Sequence, residues 1–387
     1  MQIKTLLFAM IAVTAIGSNL FGGLSAEIQS ACSLSISQLS ALMSLSQVGT
    51  LLSFLLLPIL VRRMGPYLLM VVGILGSAVG LLGMGMSRSA LAFTLFFLVQ
   101  AWLGYFYGTN SFSVMVLSDP QHKRTNIPLM HLVWSVASVF AGFYISLIKA
   151  NRWYLGFYQM SALYLGMSIL FALYIPKARA VPHLFGSEGM ESSFVQSFSL
   201  LRQKRFLSFF FYLIFFSAVE YCCTVYPLLF LQQNRGATPV QVGLSLSLFF
   251  AGSTVSRFLV IPLANRANTS LPLLKVLTTL GIASTALLVM GNTLAIGLVA
   301  MVLLGFSFGA LNPACQLLEV HTWPKDMVQI ANMHSVSAVI GRLTLPALIA
   351  LISIRSGLDG ALVVLSFTMV LALAFLFLFA RMQPSSC

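Results

Sequence analysis

The stretch Ala331–Ala350 reads ANMHSVSAVIGRLTLPALIA. About twenty predominantly apolar residues suffice to cross a bilayer as a helix, and this stretch has that length and character. Arg342 nevertheless stands in its middle. On insertion scales an Arg at a helix centre costs about 2.5–3.5 kcal/mol, so a chain that keeps one there has a use for it or a partner.

The rest of the chain explains the setting. It has 387 residues, 59% hydrophobic and only 7% charged, against about 25% charged in ordinary soluble domains. No compact soluble fold hides that much apolar surface from water, so lipid is the solvent for much of it. The apolar runs are long and continuous, whereas barrel strands alternate over roughly ten residues; the spans are therefore helical. The net charge of +13 reflects 21 Lys and Arg against 8 Asp and Glu. These bases are scattered between apolar runs rather than clustered on a basic stripe, which excludes a nucleic-acid partner and fits loop charges that set membrane orientation.

Catalytic and metal chemistry find no support. The cysteines are Cys32, Cys222, Cys223, Cys315 and Cys387, with no C-x-x-C among them, so neither a disulfide framework nor a zinc site is expected. There is no H-E-x-x-H and no Walker loop. We expect no enzyme activity, no metal and no cofactor.

Twelve helices are read at about 4–25, 38–61, 67–86, 89–117, 127–148, 154–175, 205–231, 239–262, 271–290, 293–318, 328–352 and 358–380. The first resembles a signal peptide at Lys4 and the apolar run behind it, but its apolar character continues to Leu24, and it is read as a retained span. With the N-terminus inside, fourteen loop bases fall on the cytoplasmic side and five outside. That asymmetry places both termini in the cytoplasm, with the chain multi-pass in a plasma (inner) membrane. The longest polar connection, 176–204, divides an N-terminal six-helix bundle, 1–175, from a C-terminal one, 205–387.

The two halves echo each other. Gly104-Tyr105-Phe106-Tyr107-Gly108 matches Gly305-Phe306-Ser307-Phe308-Gly309. Asn110 matches Asn312, Met130-His131 matches Met333-His334, and Pro58 to Arg62 matches Pro262 to Arg266. The offsets drift only from 201 to 204. The expected fold is an all-α polytopic membrane protein, with twelve transmembrane helices in two pseudo-symmetric six-helix bundles. Parallel repeats of this kind suit a binding site near the midplane that is exposed to each side in turn.

Over essentially its whole length the chain resembles the major facilitator superfamily, on the six-plus-six plan, the central loop and several local patterns. Ser35-Ile36-Ser37-Gln38-Leu39 leading to Ser44-Leu45-Ser46-Gln47-Val48-Gly49 is similar to the family's entry into helix 2. Pro58 to Tyr67 matches the signature G-x-L-x-D-R-x-G-R-R at Leu60, Arg63 and Gly65; Pro58 replaces its Gly and Arg62 its acid. Ser256-Arg257 followed by Arg266 resembles the corresponding pattern of the second half. Asn110, Asn126 and His131 resemble the fucose-permease branch of sugar transporters.

Of the charges inside spans, Glu220 and Arg342 fall about 21 Å deep in helices 7 and 11 at 1.5 Å per residue. They are expected to pair and to carry proton coupling. The remaining acids, Glu319 among them, are read as loop or helix-end residues, leaving Glu220 alone deep. His131, His334, Arg257 and Arg63 are candidate gating groups. Arg257 is read as snorkelling, and each Asn–His set (Asn110 with His131, Asn312 with His334) as a fastening between neighbouring helices. The family plan implies that substrate contacts come from Asn19, Gln47, Gln100, Asn110, Trp134, Tyr221, Asn312 and Gln316. Amides beside aromatic rings suit a hydroxylated solute.

The resemblance implies a secondary active transporter, proton-coupled, moving a small sugar-like solute. It implies no partner beyond the small-molecule substrate, membrane lipid and a coupling proton, and a monomer. Efflux of amphipathic drugs or organic anions is the alternative in the same class. A transport-dead membrane sensor is the alternative of another class.

Overall fold

In lipid every backbone N–H and C=O must be satisfied within its own segment, so long apolar runs fold as helices. The computed structural model describes residues 3–181, 184–185, 194–263 and 270–382. Among these residues the long elements are all helical. The first half contains α1 (Ile3–Gly23), α2 (Ser25–Cys32), α3 (Ile36–Met86), α4 (Ala90–Ser118), α5 (Lys123–Ser146) and α6 (Tyr154–Ala178). A short α7 (Phe194–Ser197) precedes α8 (Lys204–Cys222), α9 (Tyr226–Asn234), α10 (Pro239–Leu263), α11 (Ser270–Met290), α12 (Leu294–Thr322) and α13 (Met327–Arg381). Residues 264–269, which hold Arg266 and the rest of the second helix-end repeat, lie outside the described residues, as do residues 186–193 of the central connection.

Among the described residues, ten helices are long and apolar enough to cross a membrane. Two are too long for one crossing: α3 has 51 residues and α13 has 55. At about 1.5 Å per residue each is more than twice the ~30 Å hydrocarbon core. Each is broken once, at a glycine with positive φ: Gly65 (φ 76°, ψ 157°) and Gly357 (φ 63°, ψ −154°). Glycine alone takes that backbone without strain, and Pro66 after the first corner has no N–H to continue the ladder. Each long helix thus supplies two crossings, and the described residues hold twelve in all.

The opening helix of each half departs from its expected form. The first kinks at Leu24 (φ −113°, ψ 17°) and continues as α2. The seventh, expected over 205–231, breaks before Tyr226 into α8 and α9, with Val225 at φ −125°, ψ −64°. Pro227 sits in the first turn of α9, the one helical position where a missing N–H is harmless.

Two compact units result, Met1–Ser35 with Leu45–Glu191, and Ile36–Ser44 with Ser192–Cys387. In the first, Tyr67 Oη donates to Phe171 O at 2.8 Å and Ser161 Oγ to Ala78 O at 2.7 Å, tying α3 to α6. In the second, the opening turn of α3 is held by Tyr226, whose hydroxyl donates to Ser40 Oγ at 2.6 Å.

Close helix contact in the second unit depends on missing side chains. A Cβ at Gly305 would stand 1.7 Å from Phe249 O, one at Gly309 2.4 Å from Ser253 O, and one at Gly252 2.3 Å from Val302 O. These three positions let α10 and α12 touch backbone to backbone. The matching glycines of the first unit differ. A Cβ at Gly104 would stand 3.2 Å from Ser77 Oγ, and one at Gly108 would have nothing within 4 Å; the sequence repeat at Gly108 is not a packing repeat.

Gly305→Ala therefore forces α10 and α12 apart and should lower stability by about 1–3 kcal/mol, the usual range for overpacking. Gly108→Ala should leave it unchanged or raise it by up to about 1 kcal/mol, since Ala is the better helix former. Thermal melting of the two variants in detergent checks the contrast; equal melting temperatures would count against the contact.

Candidate functional site

The helices α8 and α13 meet where Gly341 lies against Ile214; a Cβ there would fall 2.2 Å from Ile214 O and 3.1 Å from Ala218 N. Arg342 is the next residue, and Glu220 follows Ile214 by nearly two turns. The close approach brings Arg342 Nη2 to 3.5 Å from Glu220 Oε2. That is longer than the roughly 2.7–2.9 Å of a tight charge-assisted hydrogen bond. The side chains retain 36% and 22% exposure, so this is a loose pair and not a sealed one. Counted from Lys204 and Met327, both residues lie about 22–24 Å along their helices.

Further features mark Arg342. Its guanidinium sits 5.9 Å from the centre of the Tyr221 ring. Its Nε is buried without a hydrogen bond. Four residues on, Pro346 lies inside α13 and has no N–H to offer the Arg342 carbonyl. Tyr221 itself donates to Met43 O at 3.4 Å.

Arg257 does not snorkel. Its Nε donates to Gly309 O at 3.0 Å. Pro313 lies inside α12, and the carbonyl four residues before a helical proline loses its usual donor. Arg257 on α10 supplies the hydrogen bond that Pro313 cannot, and it lies within electrostatic range of Glu220.

The expected fastening of His334 by Asn312 is replaced by another contact. His334 Nδ1 lies 2.6 Å from Glu319 Oε1, with the side chains only 13% and 5% exposed. Glu319, read from sequence as a helix-end acid, is a buried carboxylate of α12, and Glu220 is not the only one enclosed by the bundle. Asn312 Oδ1 is buried without a hydrogen bond. Gln316 is exposed.

In the first unit the other Asn–His set is likewise separate. Asn110 donates to Phe106 O of its own helix at 2.7 Å, and the exposed His131 lies 5.3 Å from Phe112, ring to ring. Asn19 is buried, donating to Ala15 O at 2.6 Å and to Ser138 Oγ at 3.4 Å, which fastens α1 to α5. Gln47 is buried with its amide on Ser46 Oγ at 3.1 Å. Gln100 and Trp134 are half-buried and Arg63 is exposed. Gly80 packs directly on the Gln100 backbone.

The polar hub of this unit is Asp119, just past the end of α4. It accepts from Asn126 Nδ2 at 3.0 Å, pairs with His122 Nδ1 at 2.8 Å, and meets Lys4 Nζ at 3.3 Å. These partners, the Asn126 amide foremost, hold its carboxyl well below the usual carboxylate range. The hub joins the starts of α1 and α5 to the end of α4. Among the described residues, no three His, Cys, Asp or Glu side chains gather as a metal site.

The sequence matches the Major Facilitator Superfamily over residues 6–333. The chain belongs to that superfamily. It is accordingly an integral membrane transporter and not an enzyme. As a superfamily member it shares its fold with solved structures of low identity. The nucleoside transporter NupG is 12% identical, with a TM-score of 0.76, covering 99% of this chain and 100% of that one. A bacterial homologue of the human lysosomal transporter Spinster, inward-facing and occupied, is 15% identical, with a TM-score of 0.78 and coverage of 98% and 97%. A variant of the E. coli fucose:proton symporter FucP is 14% identical, with a TM-score of 0.62 and 98% coverage of both chains. No match was found among curated protein sequences.

Gly341→Ala separates α8 from α13 at the point that positions Arg342. It should destabilise the protein by about 1–3 kcal/mol and reduce transport even though both charges remain; unaltered melting and transport would show that the contact does not set the pair. A second expectation concerns Asp119. A carboxyl depressed in the folded state stabilises above its unfolded pKa and loses that contribution only as pH falls through the lower folded value. The melting-temperature gap between wild type and Asp119→Asn should therefore stay constant from pH 8 to pH 5. Convergence within that window would contradict it.

Proposed function

We propose that this superfamily member is a proton-coupled secondary transporter that moves a small hydroxylated, sugar-like solute inward by alternating access. The observation that carries the coupling reading is the loose, part-exposed Glu220–Arg342 pair deep in α8 and α13. Protonating Glu220 cancels the charge that holds Arg342 and frees the guanidinium for solute. Solute departure lets the pair re-form as the proton leaves. The unspent Arg342 Nε and Asn312 Oδ1 offer a donor and an acceptor on the same unit, with Tyr221 beside Arg342. Asn19, Gln47, Gln100, Asn110, Trp134 and Gln316 complete the proposed contacts, and His131, His334, Arg257 and Arg63 the proposed gating set.

Two of the structures the chain resembles are a nucleoside transporter and a fucose:proton symporter. Both solutes are rich in hydroxyls, and the second moves with a proton. The chain is proposed to act as a monomer in a plasma (inner) membrane with both termini cytoplasmic, its two bundles at 1–175 and 205–387. A second reading, export of organic anions, is favoured by the unspent Nε of Arg342, because a guanidinium binds carboxylates through two parallel N–H groups.

Uptake into proteoliposomes under an imposed pH gradient, across hexoses, nucleosides and organic anions, tests these readings. The wild type should accumulate a hydroxylated solute. Glu220→Gln should keep counterflow and lose pH-driven accumulation at least tenfold. Undiminished accumulation by Glu220→Gln would reject the coupling role, and competition by anions alone would select the second reading.

A further inference from the structure

The second acid–base pair of the C-terminal unit lies apart from the Glu220–Arg342 site. Glu319 is three residues from the end of α12 and His334 seven residues into α13, the two helices being joined by a turn of four residues. Trp323 of that turn packs on Phe206 and Phe209, so the pair sits at the end of the bundle where α8 begins. Glu220 lies about 24 Å further along α8. Glu319 is more deeply buried than any other described carboxylate, at 4% exposure.

Between the two acids stands Cys315, one turn before Glu319. It lies near Tyr212 of α8, whose hydroxyl is hydrogen-bonded with Thr278 Oγ1 at 3.2 Å, and within electrostatic range of both Glu319 and Glu220. A line of polar groups thus leads from the deep pair toward the α12–α13 turn, through a segment that is otherwise apolar.

We propose that Glu319 and His334 form a second proton-carrying station, between Glu220 and the membrane face at the α12–α13 turn. The inference rests on the proton-coupled reading of Glu220. The balance is one proton. Loading forms an N–H bond on the imidazole, the imidazolium donates from Nδ1 to Oε1, and the pair goes from net −1 to neutral. Release breaks that N–H bond and returns the proton to water. An uncompensated buried carboxylate is far more costly than a neutral hydrogen-bonded pair. The loaded pair therefore tolerates closure of its end of the bundle, and the unloaded pair requires water. Closure and proton loading are linked through that difference.

At the start of α8 the Arg205 guanidinium lies 5.6 Å from the Trp323 ring and 5.4 Å from the Phe379 ring, a cation at the turn end of the bundle. Cys315 and Tyr212 lie behind it, toward Glu220. His321, Lys325 and Asp326 belong to the turn side. Arg257 of α10 is held at the level of Gly309, ten residues deeper on α12. The Lys275 ammonium of α11 lies 4.8 Å from the Phe377 ring. Against α9, α12 uses its opposite end, where Gly297 meets Leu231.

Two measurements on the full chain test the station separately from the function it serves. Histidine 15N spectra in lipid nanodiscs, with His334→Asn to assign the signal, follow protonation from pH 5 to pH 9 without any solute. The His334 signal should titrate in that window, and Glu319→Gln should change its proton affinity at least tenfold. A single protonation state throughout, or an unmoved midpoint in Glu319→Gln, overturns the proposal. In proteoliposomes with the hexose and nucleoside panel, Glu319→Gln should retain counterflow and lose pH-driven accumulation at least tenfold, and Glu319→Asp should restore part of it. Wild-type accumulation by Glu319→Gln overturns the station and leaves the proposed function standing. Absence of counterflow in the wild type with every solute overturns the function instead, and the spectra alone then decide the fate of the pair.

Discussion

A guanidinium placed in hydrocarbon has to find its hydrogen bonds within the protein. That constraint shapes the second half of this chain. Arg257 meets it with a backbone carbonyl, Gly309 O, which the proline at 313 has left without a helical donor. Arg342 meets it in part with Glu220, at a distance that leaves the pair easy to separate. The two cations look alike in sequence, yet one is committed to holding α10 on α12 and the other keeps unspent bonding capacity. The difference lies in what each guanidinium is bonded to and not in the sequence around it.

The same constraint explains where glycine is found. Without Cβ atoms, α10 and α12 approach closely enough for Arg257 to reach across, and α8 and α13 closely enough for Arg342 to reach Glu220. Transmembrane helices gain little from the hydrophobic effect against each other, and they associate through close packing and interhelical hydrogen bonds. Here those two contributions are coupled, because the contact that packs the helices also places the charges.

Much of the architecture was legible from residue type alone. Crossings are long apolar runs, and a run of some twenty residues has few alternatives in lipid. The corners at Gly65 and Gly357 fell where the sequence offered loops, although each proved to be one residue with reversed backbone within an otherwise continuous helix. The fellowship of Glu220 and Arg342 was legible because equal depth follows from counting residues at 1.5 Å each. What counting cannot give is azimuth. Glu319 was read as a loop or helix-end acid, and it does lie near the end of α12, yet it faces inward and takes His334 from its expected partner, Asn312. Gly108 matches Gly309 in the repeat but faces open space. Gly341 carried no mark beyond being a glycine, and the bond by which Arg257 serves the Gly309 carbonyl that Pro313 leaves open spans 52 residues. Each miss concerns which way a side chain points around a helix, and hydropathy does not record that.

The bond from Arg257 to Gly309 also bears on how the chain enters the membrane. Its acceptor lies 52 residues downstream. At translation speeds of about 5–20 residues per second, α10 waits on the order of 3–10 s for α12 to emerge. During that interval its guanidinium lacks the Gly309 acceptor. Until α12 arrives, α10 cannot complete the contact that ties its cation to the carbonyl left open by Pro313.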